Sequence, residues 1–229
     1  MSDKKQEPIA DNSAVVVDKA KDFWTRNSKA ILGVGIVLLV AVIGFYVYKN
    51  MFQKPKELQA AEAMYKAESY YRQDSVNLAL NGDGQYLGFL KVIDRYSGTD
   101  AANLAHYYAG SCYIKLDDNA KAIEHLKKFS TDAKQVQQRA YKLLGDAYGD
   151  QGNGAEALSY YKKAAHHFEE DKAASAEALF AAAYLADRIL KNSAEAIELY
   201  KELKEKYPQT QQGFEADNYL AQLGVYNVN

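Results

Sequence analysis

Apolar positions along this chain fall into two regimes: one unbroken run near the start, and helical spacing through most of the remaining length. The run is Ala30 to Tyr48, AILGVGIVLLVAVIGFYVY, nineteen residues without a charge, bracketed by Lys29 and Lys49. At the helical rise this length matches the ~30 Å hydrocarbon core of a bilayer. It predicts a transmembrane helix over 30–48. Tyr46 and Tyr48 at one end, and Trp24 and the flanking Lys29 and Lys49, are the expected membrane-interface residues. Ahead of the run, Val16, Val17, Ala20, Phe23 and Trp24 recur at spacings near three and four among charged residues. Residues 14–29 therefore read either as a juxtamembrane amphipathic helix lying at a membrane surface or as an ordinary exposed helix anchored by Trp24. Residues 1–13 are polar, mixed in charge and interrupted by Pro8, the pattern of a disordered tail.

Beyond Pro55 the spacing of three and four dominates. Lys56 to Ala79 reads as one long helix with a packing stripe of Ala60, Ala63, Met64, Ala67, Tyr70 and Tyr71, ended by Asn81-Gly82-Asp83-Gly84. Gln138 to Glu169 reads as two antiparallel helices joined through Gly152 and Gly154, with Gly145 and Ala157 small enough for close backbone approach. Phe214 to Leu223 reads as a closing helix stopped by Gly224. The fold class expected is all-α: an N-terminal transmembrane helix, then a helical array over 56–224 with a capping helix. One such hairpin cannot bury its own apolar face, so it implies neighbours.

Composition narrows the function. A net charge of −2 leaves no basic footprint for nucleic acid. Cys112 is the one cysteine, which excludes an intrachain disulfide or a multi-cysteine metal cluster. Its place among Gly110 and Tyr113 on a packing helix predicts a buried thiol rather than a nucleophile. His166 and His167 are adjacent on a helix and diverge by about 100°, a poor arrangement for one metal. Asn81, Asp83 and Gln85 are spaced like a calcium loop, but Val92 stands where the bidentate glutamate belongs. No G-x-S-x-G, H-E-x-x-H or Walker pattern occurs. The expectation is a protein without catalytic residues, metal or cofactor.

The run at 30–48 reads as an uncleaved anchor, because a long region precedes it and no A-x-A-like site lies at its end. Lys19, Lys21, Arg26 and Lys29 precede it, and Lys49, Lys54 and Lys56 come after it. The difference of one positive charge tilts the N-terminus toward the cytoplasm. Gly33, Gly35 and Gly44 form no G-x-x-x-G pair, which argues against self-association through the span.

The hairpin residues Leu144, Gly145, Tyr148, Ala157, Tyr161 and Ala164 resemble the pattern of tetratricopeptide repeats. Indexed by the small residue of each second helix, Gly88, Ala122, Ala157 and Ala196 lie 34, 35 and 39 apart. The extra residues of the last step are expected in Glu169 to Ser175. The final first helix departs from the pattern, with Tyr184 where glycine is expected and Asp187 where tyrosine is. The array would be a right-handed α-solenoid. The stretch LALNGDGQYLGFLKVIDRYSGTDAANLAHYYAG, Leu78 to Gly110, together with a single N-terminal span, resembles the YfgM-like membrane-anchored tetratricopeptide proteins in their Bacteroidetes-type form. That resemblance implies an inner-membrane protein, N-terminus cytoplasmic and repeats periplasmic. It also implies Sec translocon subunits and a PpiD-like chaperone as partners, in a non-enzymatic role with exported proteins. A cytoplasm-facing assembly adaptor and a self-associating envelope structural protein are the alternatives.

In this family the concave groove is lined by fixed positions of each first helix. Those positions are Leu104, Tyr107, Ser111 and Ile114, then Arg139, Lys142, Asp146 and Gly149, then Ala178, Ala181, Leu185 and Arg188. The protein-binding candidates are Leu104, Tyr107, Ser111, Ile114, Arg139, Lys142, Asp146, Leu185 and Arg188. Tyr107 and Ser111 stand where a carboxylate clamp would carry Lys and Asn, so an acidic C-terminal peptide is a poor fit. A helix or extended segment suits the mixed surface better. Alternatively, Leu104 and Tyr107 pack on the long helix 56–79, which would then fill the groove.

Overall fold

Side-chain caps and left-handed turn residues cut this chain beyond Arg72 into short helices. The computed structural model describes residues 12–226, and among these every regular element is helical. The tail expected over 1–13 lies outside the described residues up to Asp11, while Asn12 and Ser13 already belong to the first helix. Two compact units are present, one ending at Pro55 and the other starting at Lys56.

In the first unit, α1 runs Asn12–Tyr48 as one helix of 37 residues and passes into a π-helical turn, Lys49–Gln53. No break separates the segments expected as a juxtamembrane helix and a span. Its apolar stretch is long enough to cross a membrane and none of it is buried in protein.

The second unit holds all but the first two residues of α2 (Lys54–Arg72), then α3 (Val76–Asn81), α4 (Phe89–Arg95), α5 (Asp100–Lys115), α6 (Asn119–Lys128), α7 (Lys134–Asp150), α8 (Gly154–His167), α9 (Lys172–Tyr184), α10 (Ser193–Lys206) and α11 (Gln211–Gln222). Six of these helices start with a side-chain oxygen accepting from a backbone N–H three residues on. Thr99, Asp118, Asn153, Asp171, Asn192 and Thr210 are the caps, and each offsets one donor that the first helical turn leaves unpaired. Glu57 of α2 adds a second cap to α5, accepting from the N–H groups of Asp100 and Ala101 at 2.9 Å each.

The hairpin turns share one construction. Asp74, Asp117, Gly152 and Lys191 take φ of 57°, 57°, 75° and 55°, the left-handed conformation that ends a helix. The next residue returns a hydrogen bond to the preceding helix: Ser75 to Tyr70, Asp118 to Tyr113, Asn153 to Tyr148, and Asn192 to Ala186. Four hairpins of this construction therefore follow one another among the described residues. The long helix expected over 56–79 is corrected by this turn: α2 stops at Arg72, and α3 begins a second helix that returns.

The turns also reset the register. Five residues after Asp74, Asp117, Gly152 and Lys191 stand Ala79, Ala122, Ala157 and Ala196, each fully buried. The 34-residue step from Gly88 was a coincidence of spacing. Ala79 holds that place, and the second helix of the first hairpin is interrupted by the loop 82–88. Gly88 serves another end: a Cβ on it would lie 2.3 Å from the Leu80 carbonyl oxygen.

The last hairpin departs differently. Its return bond spans six residues, Asn192 to Ala186, where the others span five. The added residue sits in a π-helical turn, Leu185–Ile189, that closes α9. Upstream of it the register moves by one. Ala183, buried, takes the place of Gly145, and Tyr184 is 44% exposed. The remaining extra length lies in α8, fourteen residues against ten in α6, and not in 169–175.

Two apolar cores run through the stack. One joins α2 to α5 through Met64, Ala67, Leu80, Phe89, Ala105 and Cys112; the other joins α6 to α11 through Leu126, Leu144, Tyr161, Leu179, Tyr200 and Leu220. Tyr113 packs against both. Gln138, buried on α7, donates to the Ala164 carbonyl at 3.0 Å and to Ser175 Oγ at 2.9 Å, tying three successive helices together.

Candidate protein-binding groove

The first helices α5, α7 and α9 carry the expected groove positions, and the structure sorts them into three environments. Ser111 is buried and its Oγ lies 2.6 Å from the Tyr71 hydroxyl, so α2 consumes it. Leu185 is buried as well, 9% exposed, because the π turn rotates it into the core. It is withdrawn as a groove residue. The shifted register puts Glu177, Phe180 and Tyr184 where Ala178, Ala181 and Leu185 were expected, and Ala178 is fully buried.

Arg139, Lys142 and Glu177 line a cleft of 480 Å³ that reaches the start of α11 at Thr210 and Gln211. The Lys142 ammonium lies 3.1 Å from both Asp146 and Glu177, bridging α7 to α9. Burial opposes its charge, but the two carboxylates outweigh that and raise its pKa. Asp146 also accepts from the Tyr161 hydroxyl at 2.9 Å. Arg139 is exposed and makes no ion pair among the described residues.

At one end of this charged middle, Tyr107 is half-buried, its ring 5.3 Å from Phe129 and 5.5 Å from Tyr108. Burial raises the pKa of its hydroxyl. Leu104 and Ile114 are also half-buried. At the other end Phe180, Tyr184 and Tyr219 form an aromatic group with centroids 5.3–6.3 Å apart. The Arg188 guanidinium lies over the Tyr219 ring at 5.7 Å and donates to the Gln222 side chain. The surface therefore alternates: apolar, charge-bridged, aromatic.

The long helix does not fill this groove as one piece. Its N-terminal part, α2, is the first helix of a further hairpin, and Tyr71 packs on Tyr108 at 5.2 Å. This closes the groove at Ser111 and leaves Leu104 at the edge of a separate cleft.

Cys112 and the one three-donor cluster found among the described residues are engaged within the protein. Cys112 is buried, and burial pushes its thiol up to about 12. His166, Glu169 and Glu202 bring donor atoms within 4.8 Å of one another, but the Lys206 ammonium bonds both carboxylates at 2.8 and 3.1 Å. His167 turns away, its ring edge-on to Tyr141 at 5.2 Å. A pair not foreseen from sequence is His106 with His125, whose Nδ1 atoms lie 3.0 Å apart across α5 and α6. Their separation of nineteen residues gives no periodic signal; only the hairpin geometry brings them together.

Residues 21–159 match the family model described as a tetratricopeptide repeat-like domain. The chain belongs to that family. A second model, tetratricopeptide repeat, matches residues 177–210, the last tetratricopeptide hairpin. No curated protein matches. Among solved structures, the nearly identical tetratricopeptide-like repeats of a putative kinesin light chain from Podosopora anserina share the fold. A form of them carrying one substitution is 14% identical with a TM-score of 0.54, covering 74% of this chain and 85% of that one. A second form gives 14%, 0.53, 74% and 86%. At this identity the likeness speaks for the fold alone. Tetratricopeptide domains are generally non-catalytic modules for protein interaction.

Proposed function

We propose that this protein is a membrane-tethered scaffold that binds protein partners and performs no catalysis. The observation carrying the proposal is the pairing of two features in one chain. One is a helix whose apolar side chains are exposed from Ile31 to Tyr48, a surface that water penalises and lipid accepts. The other is a tetratricopeptide array with an aromatic and charged groove. A tether raises the local concentration of the array beside membrane complexes, which strengthens weak contacts without adding new ones.

The finer reading is an ancillary subunit of the Sec translocon and a PpiD-like periplasmic chaperone, with the N-terminus cytoplasmic and the repeats periplasmic. Its support is the resemblance of Leu78 to Gly110 and the single span to the YfgM-like proteins, and the one-charge excess of Lys and Arg ahead of the span. Crosslinking in intact cells, followed by identification of the neighbours, tests it. Translocon or chaperone subunits are the expected products, and their absence would remove this assignment. Reporter fusions at the C-terminus test the orientation independently. Charge reversal of Arg139 and Lys142 together should weaken partner recovery at unchanged helix content, and unaffected recovery would move the site away from the groove.

A further inference from the structure

A cleft of about 780 Å³ lies beside the groove at the junction of the second and third hairpins, where the segment Phe129–Ala133 joins α6 to α7. Leu104, Phe129, Val136 and Tyr141 give it an apolar floor, and Asp100 and Asp132 stand on its rim. Both carboxylates belong to exposed residues and enter no ion pair among the described residues. The lysines of the neighbouring helix are engaged elsewhere: Lys128 pairs with Glu124 at 2.8 Å, and Lys127 lies over the Tyr148 ring at 5.2 Å.

The cleft wall is built rather than loose. Asn103 of α5 donates to the Ser130 carbonyl at 2.7 Å and accepts from the Ser130 N–H at 3.2 Å. Gln137 of α7 accepts from the Thr131 N–H at 3.0 Å, and Thr131 Oγ1 accepts from the Ala133 N–H at 3.1 Å. A non-helical segment fixed at these points keeps the cleft open in the free protein, which lowers the ordering cost of binding.

An apolar floor under two free carboxylates is complementary to one kind of side chain, an aliphatic stem carrying a cation at its tip. We propose that this cleft takes a lysine- or arginine-bearing segment of a protein partner, its stem over Leu104 and Tyr141 and its charge at Asp100 and Asp132. The inference rests on reading the array as a protein-binding module and adds the chemistry of what it binds.

The full-length protein in detergent is titrated with two short labelled peptides, one alternating leucine with lysine and the other leucine with glutamate. The lysine peptide should bind, more weakly as salt rises, and the glutamate peptide should not. Asp100→Asn with Asp132→Asn should weaken the lysine peptide by about tenfold or more, in keeping with the loss of close charge pairs. Asp100 begins α5, so the single variant Asp132→Lys, in an exposed segment with no capping bond, guards against a folding artefact and should weaken binding in the same direction. Equal binding of the two peptides, no binding of the lysine peptide, or indifference to Asp132→Lys would each overturn the proposal. Crosslinked protein neighbours recovered from cells in any of these cases would leave the scaffold reading standing, so the two fail separately.

Discussion

The Tyr161 ring lies so close to Gly145 that a Cβ placed on the glycine would stand 2.5 Å from Cδ1 and 2.6 Å from Cε1. Gly110 is in the same position toward Leu126, again at 2.5 Å. Each glycine is the point where the two helices of a hairpin touch backbone to side chain. Gly145→Ala should therefore destabilise the array by about 1–3 kcal/mol through overpacking, despite alanine's better helix propensity. Urea unfolding with an unchanged m-value would measure it. Gly149→Ala is the control, since a Cβ there meets the Ala157 Cβ and the Tyr161 hydroxyl at an ordinary 3.8 Å. It should be neutral or stabilising.

Acid should loosen the second hairpin first. His106 and His125 share one hydrogen bond between neutral rings 5.1 Å apart. Burial, then the neighbouring His125, then Lys128, holds His106 down from 6.5 to about 4, and burial lowers His125 too. Because the folded pKa lies below the unfolded one, the unfolded chain takes up the proton more readily. The stabilisation is complete above about pH 6.5 and is lost as pH falls toward 4. Thermal unfolding followed across that window should show Tm falling, and His106→Gln should flatten the slope. An unchanged slope in that variant would assign the acid sensitivity elsewhere.

Cys112 should resist alkylation. Its thiol is fully buried and its pKa is pushed up by burial, so the thiolate is scarce and inaccessible at neutral pH. A maleimide reagent should label the protein only after denaturant is added. Labelling of the native chain at the rate of a free thiol would show that the α5 core opens.

Sequence patterns reached the fold class and the best-formed hairpin because local rules determined both. The hairpin read from Gln138 to Glu169 is α7 and α8; of the two glycines expected to make its turn, Gly152 does so with φ of 75°, while Gly154 is the first residue of α8. The turn at Asp74-Ser75 was missed because aspartate in a left-handed turn has no glycine to mark it. The loop 82–88 then disguised the register, since its length placed Gly88 at a convincing interval from Ala122. Inside it, Asp83 accepts from the Tyr70 hydroxyl at 2.6 Å and from the Gln85 and Tyr86 N–H groups. No periodicity in the chain encodes such a network. Of the expected groove positions, Arg139 and Lys142 line one cleft, Ser111 on the equally regular α5 is buried against Tyr71, and Leu185 is turned into the core where a π turn adds a residue.

The π turn also supplies the sharpest test of the site. Tyr184 and Leu185 are neighbours in the chain with opposite fates, 44% and 9% exposed, set by the π turn that begins at Leu185. Leu185→Ala should remove buried methyl groups from the core and cost about 2–4 kcal/mol. Tyr184→Ala touches an exposed ring and should change stability by roughly 0.5 kcal/mol or less, while weakening partner recovery by removing one aromatic wall of the groove. Had the helix been regular, the two effects would be exchanged. Unfolding and binding measured on both variants therefore report the register of α9 and the location of the groove together. A stable Leu185→Ala protein that no longer recovers its partner would restore Leu185 to the surface and remove Tyr184 from it.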